Sequence, residues 1–259
     1  MKTIADVTAK YLTDDWHAAT KTFEVVEPAA GTTLASVADC DAQTANRAAD
    51  VAWAAFERGR ATSAVERSDV LARWHDLIIE NSEALATTMT REMGKPLKES
   101  RGEVKYAAGF VRWYAEEAKR VYGDLFPAQD PTKRLLAVPQ PVGPAFAITP
   151  WNFPLAMVTR KAAPALAAGC TFVLKPAEQS PVSALLLADL WLEAGGPAGT
   201  LQVLPTSDPA PLSTALIHDP RIRKLTFTGS TEVGRLLYAQ AAATVSMPAA
   251  RPACTSRRS

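Results

Sequence analysis

Between residues 145 and 243 the chain repeats one pattern four times: a short, mostly apolar run followed by a longer amphipathic stretch. The runs are Ala145 to Thr149, Thr171 to Leu174, Leu201 to Leu204 and Lys224 to Thr228. The stretches are Leu155 to Ala168 closed by Gly169, Pro181 to Ala194 closed by Gly195, Ala210 to His218, and Thr231 to about Ala243. Runs of this length read as strands and stretches of this period as helices. Strand–helix alternation has few solutions, and the one predicted is an α/β fold with a parallel sheet and helices on its faces. Ligands of such sheets bind beyond the carboxyl ends of the strands. The loops after Ile148, Leu174, Leu204 and Thr228 are therefore where function is expected.

Upstream, Lys21 to Val37 with its Pro28 to Gly31 break predicts a strand pair. Four helices follow. The first spans Asp41 to Arg58, and the second opens at the Ser63-Ala-Val-Glu66 capping box and runs through Leu71, Trp74, Leu77 and Ile78. The third starts near Asn81 or Ser82 and stops at Gly94 before Pro96. The fourth runs from about Glu99 to Val121, with Val104, Ala108, Val111 and Ala115 on one face. These four are read as scaffold with solvated polar faces. Leu135 to Val138 predicts a further strand. Residues 135 to 159 carry no charge, but Pro139, Pro141, Pro144, Pro150 and Pro154 argue against a membrane helix.

Composition narrows the partners. With 28 basic and 27 acidic side chains the net charge is +1, which gives no footprint for nucleic acid or an anionic membrane. Asp6 and Lys10 interrupt the N-terminal stretch, so no signal peptide is read there. Cys40, Cys170 and Cys254 are too few and too scattered for a disulfide framework or a zinc site. A reducing, cytoplasmic setting and no metal are expected.

Three strand-end loops carry candidate chemistry. In Phe227-Thr-Gly-Ser-Thr-Glu-Val-Gly234, Gly229 allows close backbone approach, Ser230 and Thr231 offer hydroxyls, and the following helix N-terminus attracts an anion. Gly229 and Gly234 have P-loop spacing, but Arg235 and Leu236 stand where Lys and Ser or Thr are needed, which argues against an NTPase. Gly195, Gly196 and Gly199 do not have dinucleotide-fingerprint spacing. In Leu174-Lys-Pro-Ala-Glu178, Lys175 and Glu178 fit either a ribose grip or a surface ion pair. In Ile148-Thr-Pro-Trp-Asn-Phe-Pro154, two prolines flank Trp151 and Asn152. Asn152 is either a preorganised oxyanion donor or a turn residue beside a core tryptophan. Arg160 is either a helix-surface cation or a carboxylate fork. The three histidines show no general-base pattern, and Cys170 reads as a packed thiol. The loops around Trp151, Lys175 and Gly229 are expected to converge on one pocket.

On these three motifs, in this order and spacing, the chain resembles the N-terminal half of an aldehyde dehydrogenase. The likeness covers roughly Thr22 to Val245. Glu92-Met-Gly-Lys-Pro-Leu97, Trp113-Tyr-Ala-Glu-Glu117, Tyr122-Gly-Asp124 and Met157-Val-Thr-Arg-Lys161 make it most similar to the succinate-semialdehyde branch. The resemblance implies a Rossmann-like sheet with flanking helices, truncated before the catalytic domain. It divides the chain into N-terminal edge strands (1–37), a helical part of the cofactor domain (38–131), an edge or oligomerisation strand (132–141), the NAD-binding sheet (142–245) and an aberrant or disordered tail (246–259).

The resemblance also implies a chemistry, in which a cysteine thiolate attacks an aldehyde, hydride passes to a nicotinamide, and a glutamate activates the hydrolytic water. Carried over by position, Asn152 is the catalytic oxyanion donor, and Lys175 and Glu178 hold the adenosine ribose. Gly229 and Ser230 form the pyrophosphate turn, while Ile148, Thr149 and Trp151 line the pocket. Gly234 permits close helix packing, and Arg160 binds the distal carboxylate of the substrate. The cofactor expected is NAD, with NADP possible: the Glu178 carboxylate would repel a 2′-phosphate and Lys175 would temper that. The family's Glu-Leu-Gly-Gly motif and nucleophilic cysteine are not among the 259 residues, and from Ser246 the composition shifts to Pro, Arg and Ser. Cys254 is not expected to be catalytic. The 259 residues alone are expected to bind cofactor without oxidising aldehyde, the alternative being a non-catalytic nucleotide-binding module. Family members of full length are homo-oligomers acting on small aldehydes.

Overall fold

The computed structural model describes residues 3–244 and the backbone of 247–250. A short helix α1 (Ile4–Val7) precedes two small strands, β1 (Lys10–Leu12) and β2 (Trp16–Ala18), and the hairpin β3 (Thr22–Glu27) and β4 (Thr32–Ala38). Helices α2 (Ala42–Gly59), α3 (Ala64–Glu80), α4 (Ser82–Met93) and α5 (Leu97–Glu117) follow. Their boundaries have local causes. Ser63 Oγ accepts the Glu66 N–H at 3.2 Å and the Glu66 carboxylate accepts the Ser63 N–H at 2.8 Å, which completes the capping box of α3. Gly94 closes α4 in the left-handed region at φ 77°, a conformation that glycine adopts without a Cβ penalty.

After α5 the strands β5 (Asp124–Pro127) and β6 (Arg134–Ala137) form a separate antiparallel hairpin. The alternating region then unfolds as β7 (Ala145–Ile148), α6 (Ala156–Ala167), β8 (Phe172–Lys175), α7 (Val182–Glu193), β9 (Leu201–Val203), α8 (Pro209–His218), β10 (Lys224–Phe227), α9 (Thr231–Ala243) and β11 (Met247–Ala250).

The main sheet has seven strands in the order β11-β10-β7-β8-β9-β1-β2. Chain order runs outward from β7 through β8 to β9 and then returns to β10 on the other side of β7. That reversal makes the β7–β10 boundary a topological switch point, with a crevice at the carboxyl ends of the strands. Alternate residues of the central strands face one of two cores. Ala145, Ala147, Phe172, Leu174, Leu201 and Val203 pack with residues of α3, α4, α5, α6 and α7, while Phe146, Val173, Leu225 and Phe227 pack with α2, α8 and α9.

One expectation is extended and one corrected. The expected parallel strands are joined by two antiparallel ones, because β1 pairs antiparallel with β9 and with β2. These two strands have three residues each, too short for a visible alternation. The tail read from Ser246 onward contributes a strand: residues 247–250 pair in parallel with β10, Lys224 opposite Met247 and Phe227 opposite Ala250. An exposed parallel ladder on β10 accepts a partner through backbone groups, whatever the side-chain pattern. Cys254 lies outside the described residues.

Candidate functional site

The carboxyl ends of β7, β8 and β10 lie side by side, and backbone bonds tie the first turns of their loops together. Thr149 N–H donates to the Lys175 carbonyl at 3.3 Å, and Thr228 N–H donates to the Ile148 carbonyl at 3.2 Å. Ser180 Oγ, from the loop after β8, donates to the Trp151 carbonyl at 3.2 Å. The three motif loops thus share one edge of the sheet. Trp151, Glu178 and Gln179 line one cavity, and Arg160, Lys161 and Thr228 line another of about 820 Å³.

The loop after β7 is gripped from the helical half of the chain. Glu103 Oε1, on α5, accepts the N–H groups of Leu155 and Ala156 at 3.0 and 3.2 Å, where α6 begins without a side-chain cap of its own. Its other oxygen pairs with the Lys95 ammonium. Lys95 Nζ also donates to the Asn152 carbonyl at 2.9 Å and lies 4.1 Å from the centre of the Phe153 ring. These contacts hold the main chain of 152–156 and leave the Asn152 carboxamide exposed, with no hydrogen bond to the described residues. Trp151 is 52% exposed, so it is not a core tryptophan. The two flanking prolines are only part of what holds this turn.

The loop after β8 carries the second pair. Lys175 Nζ bonds Glu178 Oε2 at 2.6 Å, and Gln179 Nε2 bonds the other Glu178 oxygen at 3.3 Å. The two form an ion pair that is buried at Lys175, 4% exposed, and open to solvent at the Glu178 side chain. Burial pushes the Glu178 carboxyl up, but the hydrogen bond and charge of Lys175 outweigh it and hold the group below its ordinary value. At the far end of this loop the Glu92 carboxylate, on α4, accepts the N–H groups of Val182 and Ser183 and, at 2.6 Å, the Ser183 hydroxyl. Burial, partly opposed by these donors, raises Glu92 to about 7.

In the loop after β10, Ser230 Oγ caps α9 by accepting the Val233 N–H at 3.3 Å. Gly229 owes its identity to Phe227: a Cβ there would lie 2.5 Å from the end of that ring, and one at Gly234 would lie 3.1 Å from its edge. Lys161 Nζ donates to Thr228 Oγ1 at 2.5 Å, joining α6 to this loop. Burial, with the charge of Arg160 second, lowers Lys161 to about 8. Arg160 sits 5.7 Å over the Phe110 ring and has no ion pair among the described residues.

The polar faces of α4 and α5, expected to be merely solvated, instead bury two acids: Glu92 and Glu103 are 1% and 4% exposed. Their roles depend on partners far along the chain. The local signal was the absence of any Ser, Thr, Asn or Asp at Leu155 and Pro181, the cap positions of α6 and α7. The histidines make local contacts, His17 with Asp14, His75 with Asp76 and His218 with the Thr214 carbonyl. Cys40 and Cys170 are buried free thiols. Among the described residues, no group of three or more His, Cys, Asp or Glu is placed to hold a metal ion.

The sheet order defines a class first: an open α/β sheet with a topological switch point between β7 and β10. Lys175 beside Glu178 is a donor–acceptor set suited to a ribose diol, and the capped N-terminus of α9 suits a pyrophosphate. Residues 16–250 match the aldehyde dehydrogenase family, and the chain belongs to that family. It is 52% identical over 222 residues to a glutarate-semialdehyde dehydrogenase of Pseudomonas aeruginosa, covering 86% of this chain and 46% of that protein. It is 51% identical over 219 residues to the succinate-semialdehyde dehydrogenase [NADP(+)] of Escherichia coli, covering 85% and 45%. Among solved structures, an aldehyde dehydrogenase from Brucella melitensis biovar abortus superposes with a TM-score of 0.94 at 46% identity, covering 97% of this chain and 53% of that one. A betaine aldehyde dehydrogenase of Staphylococcus aureus in complex with NAD+ superposes with a TM-score of 0.91 at 28% identity, covering 95% and 51%. The chain spans about half the length of the curated relatives it matches.

Proposed function

We propose that this chain is the nucleotide-binding part of an NAD(P)-dependent semialdehyde dehydrogenase. The observation that carries the reading is the buried Lys175 beside an ionised Glu178 at the carboxyl end of β8, on the same edge of the sheet as the α9 N-terminus, with β7 between β8 and β10. Lys175 donates to, and Glu178 accepts from, the ribose hydroxyls. The turn at Gly229 and Ser230, with Gly234 one turn on, receives the pyrophosphate, and Ile148, Thr149 and Trp151 border the nucleotide. NAD is preferred over NADP, because the Glu178 charge opposes a 2′-phosphate and Lys175 only partly offsets it. The nucleotide, when bound, supplies a hydride acceptor.

Asn152 supplies the oxyanion donor, its carboxamide left free by a loop whose main chain is held by Lys95 and Glu103. Arg160 grips the distal carboxylate of a four- or five-carbon semialdehyde, which the names of the relatives support. Neither Cys40 nor Cys170 is assigned as the nucleophile: both are buried, and burial with the nearby Asp39 and Asp41 pushes the Cys40 thiol well up. Two free buried thiols favour a reducing, cytoplasmic setting. No helix among the described residues is long and apolar enough to cross a membrane. The β5–β6 hairpin, whose Leu125, Phe126, Leu135 and Leu136 are all exposed, is assigned to contact between copies.

The test is a fluorescence titration of the 259-residue chain with NADH and NADPH. Saturable binding, tighter for NADH and weakened about tenfold or more by Lys175→Met, supports the reading. Absence of binding sinks it. Reduction of NAD by this chain with succinate semialdehyde would contradict the assignment of the cysteines.

A further inference from the structure

Helix α7 has no cap of its own. Its N-cap position is Pro181, which offers no side-chain acceptor, and the adjacent hydroxyl of Ser180 is engaged with the Trp151 carbonyl. The first N–H groups of a helix lack intrahelical partners and are costly to bury unmet. Val182 and Ser183 are fully buried, and both are met by Glu92 reaching across from α4. Residues 176–181 alone join the end of β8 to the start of α7, and Glu178 lies in the middle of them. One end of this loop is anchored by the sheet, through Thr149 and the Lys175 carbonyl. The other end is anchored by Glu92. Glu92 also borders the cavity that Trp151, Glu178 and Gln179 line.

We propose that Glu92 is a positioning residue for nucleotide recognition: by anchoring the N-terminus of α7 it holds the 176–181 loop so that Glu178 meets Lys175 in the geometry that grips a ribose. The inference rests on the nucleotide reading above. A carboxylate that only stabilised the helix would lower stability without a preference for which ligand contact suffers. One that acts through Glu178 has an effect that disappears once Glu178 is removed.

The experiment is NADH titration of the 259-residue chain and of Glu92→Ala, Glu92→Gln, Glu178→Ala and the double variant Glu92→Ala/Glu178→Ala, each checked for native circular dichroism. Glu92→Ala is expected to weaken NADH binding about tenfold. Glu92→Gln, whose single amide oxygen still accepts from one of the two N–H groups, recovers part of that loss, and Glu92→Ala adds no further loss in the Glu178→Ala background. Unchanged binding by Glu92→Ala, or losses that multiply in the double variant, overturns the proposal. Should Glu92→Ala fail to fold, Ser183→Ala removes only the hydroxyl contact. It is expected to weaken binding a few-fold with Glu178 present and not at all without it, and an equal loss in both backgrounds overturns the proposal. Failure of the unsubstituted chain to bind NADH overturns the nucleotide reading as well.

Discussion

Helices α6 and α7 begin with no side-chain cap of their own, and Glu103 and Glu92 supply the missing acceptors from positions 52 and 90 residues earlier than Leu155 and Val182. Helix α9 begins at Ser230, whose own hydroxyl accepts the Val233 N–H. The first two loops are therefore set by long-range contacts with the helical half of the chain, and the third is set locally. The difference explains why α4 and α5 carry buried acids. They fix the segments that present Asn152 and Glu178, as well as covering a sheet.

The comparison breaks most visibly at Glu103. Glu103→Ala would leave the Lys95 ammonium, 9% exposed, without a counter-charge and the start of α6 uncapped. Removing one partner of a buried pair typically costs about 3–5 kcal/mol. Urea unfolding should show a loss of that order, and one below about 1 kcal/mol would mean that the α5 clamp contributes little.

Glu92 gives a pH signature of somewhat smaller size. Its carboxyl is raised from 4.5 to about 7 in the folded chain, so between those values folding takes up a proton and stability falls as pH rises. Glu92→Gln does not titrate, and relative to it the unsubstituted chain should lose up to roughly 3 kcal/mol across that window. Unfolding midpoints measured from pH 5 to 8 decide the point: parallel curves, or an opposite slope, would contradict the burial of a titrating acid. The smallest effect is expected at the self-capped helix. Ser230→Ala should cost about 1 kcal/mol by the same urea assay. A loss as large as that of Glu103→Ala would erase the distinction between local and long-range capping.

Much of the fold was legible because its causes are local. The Ser63-Ala-Val-Glu66 box starts α3 and Gly94 stops α4 through contacts within a few residues. Strand runs of four residues betray themselves by their apolar character. What could not be read depends on distant partners. Strand β1 pairs with β9, Leu12 opposite Val203, through backbone groups that leave no side-chain pattern. Glu92 and Glu103 look like surface acids on amphipathic helices until the chain closes around them. The turn at Gly229 was legible as a glycine position, but its cause, the Phe227 ring beneath it, is a packing contact. The motif loops, expected together, share one edge of the sheet, and residues of this edge line two cavities.

That edge of the sheet is the proposed seat of a nicotinamide nucleotide. A crystal structure of the chain soaked with NADH tests this most directly. The prediction is adenosine ribose hydroxyls within hydrogen-bond distance of Lys175 Nζ and the Glu178 carboxylate, with the pyrophosphate over the N-terminus of α9. Nucleotide bound elsewhere, such as the cavity between α2 and α3 near Arg67 and Trp191 at the opposite edge of the sheet, would contradict it.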